Sequence, residues 1–71
     1  METVKPGVYR HFKGNLYRVL FSARHSETGE EMVAYRALYG EQDYWVRPAA
    51  MWQEAVERNG YSGPRFTWVE P

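Results

Sequence analysis

The sequence predicts a mainly β fold, a small bent barrel of four to five short strands with one short helix, on three observations. Runs rich in β-branched and aromatic residues, VYRHFK (8–13), LYRVLFSAR (16–24), EMVAYRAL (31–38), DYWVR (43–47) and PRFTWV (64–69), alternate with turn-forming breaks. Helical spacing is found in one segment, after Pro48. Seventy-one residues hold one core, and short strands around one core hide their edges best by closing on themselves.

Composition sets the bounds. A chain this short buries only about 60% of its unfolded surface, and it has no cysteine to staple itself with disulfides or thiolate-bound metal. Three Trp, six Tyr and three Phe supply the missing bulk. The single domain is expected to cover 1–71, with an ordered core of about 7–69. METVKPGVYR has no apolar leader and no apolar run spans a bilayer, so a soluble cytoplasmic protein without membrane partners is expected. Net charge is zero, which removes general attraction to nucleic acid. The charge is nevertheless split: residues 1–26 set five cations against Glu2, and residues 27–71 set four arginines against seven Glu and Asp43.

Each element follows from local chemistry. Pro6-Gly7 opens the first strand, and Gly14-Asn15 reads as a two-residue hairpin turn with glycine at positive φ. That register turns Tyr9, His11 and Lys13 outward, whereas a three-residue loop would swap the faces of Tyr9 and His11. The next hairpin takes Glu27-Thr28-Gly29 as its loop, with Gly29 left-handed, and sets Phe21 opposite Tyr35 and Ala23 opposite Val33. Val19, Phe21, Ala23, Val33, Tyr35 and Ala37 then form one apolar face. Trp45 and Arg47 share a side of the fourth strand, opposite Tyr44 and Val46. Pro48 suits a first helical position, and Trp52, Ala55, Val56 and Asn59 follow at helical spacing until Gly60 stops the helix. Arg47 thus reads as part of a strand-to-helix joint.

GVYRHFKGNLYRVL (7–20), ARHSETGEEMVAYRALYG (23–40), YWVRPAAMW (44–52) and PRF (64–66) resemble the bacterial family catalogued as domain of unknown function 1653. In that family a Phe commonly stands where this chain has Trp52. The resemblance implies an SH3-like barrel and implies no activity.

The residues that carry chemistry suggest a non-enzymatic binding module. Tyr9, His11, Lys13, Arg18, Arg24 and Arg36 are expected on one basic, ring-bearing sheet face, a pattern suited to phosphates and bases of nucleic acid. Against this stands a plain solvated face whose arginines pair with glutamates. The alternative is a peptide or protein partner held by Tyr39, Tyr44 and Trp45, with the acidic SETGEE favouring a basic peptide. A third reading makes His25 an acid–base group oriented by Glu31 or Glu27, with Arg24 or Arg47 holding an anion; a hydrogen-bonded structural histidine is the simpler role. No nucleophile elbow, metal-ligand spacing or phosphate-cradling glycine loop occurs, so no cofactor or metal is expected. Oligomeric state is left open by the sequence.

Overall fold

The fold is described from a computed structural model covering residues 4–71; Met1–Thr3, part of the single-domain expectation, lie outside the described residues. The chain is mainly β. Strands β1 (Gly7–His11), β2 (Leu16–Arg24), β3 (Glu31–Ala37) and β4 (Tyr44–Pro48) lead into a one-turn helix α1 (Ala49–Trp52), followed by β5 (Ala55–Arg58), β6 (Tyr61–Pro64) and β7 (Phe66–Glu70). Five strands form one antiparallel sheet in the order β4-β3-β2-β1-β7, and β5 pairs with β6 in a separate ribbon. The last strand returns to the first, while β4 and β7 remain edges, so no continuous ladder closes the sheet among the described residues.

The core gathers on one face of that sheet: Tyr9, Val19, Val33, Tyr35 and Phe66 with Ala49 and Trp52 of α1. Trp52 lies flat on Phe66, with centroids 3.7 Å apart and planes 2° apart. Tyr9 and Tyr35 meet the indole edge-on at 5.5 and 5.0 Å. These rings replace the staples that the chain lacks.

Three local readings are corrected. The first loop has three residues, Phe12-Lys13-Gly14: His11 N–H donates to Asn15 C=O and Gly14 N–H to His11 C=O. Gly14 takes φ +108° inside this loop. Tyr9 therefore opposes Tyr17 and enters the core, with its hydroxyl donating to the Lys5 carbonyl. Second, the helix ends at Trp52. Ala55–Arg58 pairs antiparallel with Tyr61–Pro64, with Val56 its one buried residue, and Asn59 and Gly60 both take positive φ. Asn-Gly there makes the tight hairpin turn that suits strand twist, not a helix stop. Glu54 accordingly pairs with Arg65 at 3.3 Å rather than with Arg58.

The third correction matters most for function. β2 and β3 pair as Tyr17–Ala37 and Val19–Tyr35, then as Phe21–Ala34 and Ser22–Val33. Leu20 is an extra residue, a β-bulge, which returns Val19 to the core face opposite Tyr35. The turn between the two strands spans four residues, 26–29, and not Glu27-Thr28-Gly29, because His25 N–H donates to the Glu30 carbonyl. Ala23 therefore meets Met32 and not Val33, and Phe21, expected opposite Tyr35 in the core, meets Ala34 on the outer face and is 53% exposed.

Candidate functional site

The outer face of β2, β3 and β4 carries the site. Cross-strand partners share a face, so Arg18–Arg36, Phe21–Ala34, Arg36–Tyr44 and Ala34–Val46 all lie on this side. Ala34 forms a buried floor, and Leu20, Phe21, Tyr44, Trp45 and Val46 complete a groove of about 510 Å³ with no charged lining residue. Tyr44 and Val46 are 68% and 66% exposed. Trp45, on the core side by parity with Tyr35, stands at the open edge and is itself largely exposed.

Arginines mark one end. Arg18 and Arg36 are direct cross-strand partners, a like-charge arrangement that costs stability unless an anion relieves it. Neither meets a carboxylate among the described residues. Arg36 is pre-positioned: its Nε–H donates to the Gln42 carbonyl at 3.1 Å, and its guanidinium lies 5.3 Å over the Tyr44 ring.

The other predicted site residues are dispersed. Arg24 lies at the far end of the hairpin and donates to the Gly29 carbonyl at 3.0 Å. His25 does not face Glu31: its backbone N–H donates to Glu30, and Arg24 is the residue opposite Glu31. The His25 Nδ1 accepts the Glu27 and Thr28 N–H groups at 3.1 and 3.4 Å, so the imidazole caps its own loop. Arg47 sits 5.6 Å over Phe66, a joint residue as read. Tyr39 shares a hydroxyl–hydroxyl bond of 2.8 Å with Tyr17. Burial, then this bond, pushes the Tyr17 phenol up to about 12.

His11 joins the core side, its ring 5.0 Å from Phe66 and 4.5 Å from Phe12. Its Nδ1 accepts the Lys13 N–H at 3.2 Å. Burial, then the charges of Arg47, Arg65 and Lys13, holds its pKa below the usual imidazole value. The neutral ring therefore stabilises the fold fully above about pH 6.5. That contribution is lost as pH falls through the lowered pKa of the folded state. Urea midpoints measured from pH 7.5 to 5 should fall less steeply for His11→Gln than for the parent chain.

A second cleft, of about 370 Å³, lies between Phe12, Lys13, Arg58, Asn59 and Tyr61. Its rings stack on each other at 5.7 Å and 15°, leaving the cations to line the opening. Among the described residues no group of three His, Asp or Glu is placed to hold a metal ion. No helix there is long and apolar enough to cross a membrane.

Fold and site together define a small mainly β domain with an apolar groove on its sheet, rimmed by arginine. Residues 7–68 match the family model described as a protein of unknown function, DUF1653, and the chain belongs to that family. It is similar to the crystal structure of a DUF1653 protein from Bordetella bronchiseptica, at 39% identity and TM-score 0.88, over 99% of this chain and 92% of that one. None of the curated proteins matches the chain.

Proposed function

We propose that this domain is a non-enzymatic interaction module of the cytoplasm. It docks an extended peptide segment that is apolar along its middle and acidic at one end. The observation that carries the reading is the uncharged groove of Leu20, Phe21, Ala34, Tyr44, Trp45 and Val46 ending at two arginines that meet no carboxylate among the described residues. Tyr, Trp, Phe and Arg are the residues enriched where binding energy concentrates. A carboxylate on the partner would relieve the Arg18–Arg36 repulsion and receive paired N–H donors in fork geometry. The acidic loop Glu27–Glu30 stands at the Arg24 end of the hairpin, away from Tyr44, so an acidic rather than a basic partner fits the groove. The cysteine-free composition suits a reducing compartment.

Peptides selected from a random phage-displayed library, synthesised and titrated by fluorescence anisotropy, test this. Selected sequences should pair aromatic or aliphatic residues with Asp or Glu. Phe21→Ala and Tyr44→Ala should each weaken binding about thirtyfold or more, as truncation of anchor residues does, with unchanged circular dichroism. Arg36→Ala should weaken it at low salt and much less at high salt. Undiminished affinity in Phe21→Ala and Tyr44→Ala would reject the reading. A short single-stranded oligonucleotide that binds instead, with affinity falling log-linearly with salt, would assign the face to nucleic acid.

A further inference from the structure

We infer that the β4 edge pairs antiparallel with the β4 edge of a second copy of this chain, with Val46 facing Val46 across a twofold axis. The inference goes beyond peptide docking, because it rests on backbone groups that the groove does not use.

The phase of the ladder fixes which groups are free. Ala37 N–H donates to the Asp43 carbonyl, and the register continues as Arg36–Tyr44, Tyr35–Trp45, Ala34–Val46 and Val33–Arg47. Bonded and unbonded pairs alternate in an antiparallel ladder. Trp45 and Arg47 therefore spend their N–H and C=O groups on β3, whereas Tyr44 and Val46 aim theirs at the open edge. Pro48, at the end of the strand, offers a carbonyl and no N–H.

Edge strands are commonly guarded by lysine, a bulge or proline in mid-strand. β4 has none of these, and its register with β3 is unbroken. Its one charge, Arg47, would ordinarily act as a guard. Centred on Val46, however, the strand is complementary to itself. Val46 N–H and C=O bond their counterparts in both directions, and Tyr44 N–H donates to the Pro48 carbonyl of the other copy. Arg47 then faces Trp45 across the junction, a cation–π partner instead of a repelling one, and Tyr44 packs on Pro48. A twofold contact requires this reciprocity, which an arbitrary foreign strand would lack. The two grooves, on the same side of the joined sheet, meet along the Val46 pair and form one longer apolar trough.

The absence of cysteine makes the test clean. A bonded antiparallel pair sets its Cα atoms about 5.5 Å apart, inside the roughly 4.4–6.8 Å that a disulfide spans. Under mild oxidation Val46→Cys should therefore crosslink to a dimer on the order of a hundredfold faster than Ser62→Cys on exposed β6, because pairing raises the effective thiol concentration. The parent chain should show twice the single-chain mass by light scattering. Val46→Pro, which removes only an outward N–H from an edge strand, should keep its circular dichroism and fall to the single-chain mass. A single-chain mass for the parent at its highest soluble concentration overturns the inference. So does Val46→Cys crosslinking no faster than Ser62→Cys, or a dimer that survives Val46→Pro in a folded chain.

Discussion

Trp52→Ala is expected to lower the unfolding free energy by about 3–5 kcal/mol, the range for truncating a large buried ring. The indole is 3% exposed, lies flat on Phe66 and meets Tyr9 and Tyr35 edge-on. Seventy-one residues support only roughly 4–10 kcal/mol in total, so this variant should be largely unfolded at modest urea. Trp52→Phe should behave differently. The indole Nε1–H is buried without a hydrogen-bond partner among the described residues, and leaving such a donor unmet costs about 1–3 kcal/mol. Phenylalanine removes that cost while vacating a few tens of Å³, worth about 1 kcal/mol. The two terms nearly cancel, and a urea series should place Trp52→Phe within about 1 kcal/mol of the parent. A loss as large as that of Trp52→Ala would show that the indole makes a bond the fold depends on.

Gly7→Ala should be the most damaging glycine substitution. Gly7 takes φ +148°, and a Cβ there would lie 2.5 Å from two Trp68 ring carbons and 2.8 Å from the Glu70 carbonyl oxygen. The carbonyl belongs to the paired strand and cannot swing aside. Backbone strain of roughly 1–3 kcal/mol and overpacking of similar size should both apply, for a loss of about 2–5 kcal/mol by urea denaturation. Gly14→Ala and Gly40→Ala also sit at positive φ but meet nothing within 4 Å; each should cost less, since strain acts there alone.

The strands were legible wherever alternation and turn chemistry agreed. β3 keeps Val33, Tyr35 and Ala37 in the core as its pattern requires, and Gly29 takes the left-handed conformation expected of it, φ +75°. The bulge was not legible, because LYRVLFSAR contains neither glycine nor proline to announce an extra residue. The exposure of Phe21 was misread because the turn before Glu30 is one residue longer than Glu27-Thr28-Gly29. The segment after Trp52 was misread for another reason. Trp52 and Val56 fit a helical repeat and also the inward positions of a turn followed by a strand; Asn59-Gly60 decides for the strand.

Of the candidate site, Arg18, Arg36, Tyr44 and Trp45 stand together at the groove. Tyr9 and His11 joined the core side because the first loop is one residue longer than Gly14-Asn15 suggests. Phe21 and Val46 were missed as site residues. Three consecutive apolar residues, Tyr44, Trp45 and Val46, on a strand followed by Pro48 were the available signal, since an edge strand buries only one of its sides.

The most direct measurement follows backbone amides and the Trp45 indole by NMR while a library-selected acidic peptide is added. The account predicts that shifts concentrate at Leu20, Phe21, Ala34, Tyr44, Trp45 and Val46, with the Arg18 and Arg36 guanidiniums moving alongside them. Shifts confined to Phe12, Lys13, Arg58 and Tyr61, with the groove silent at saturation, would contradict it.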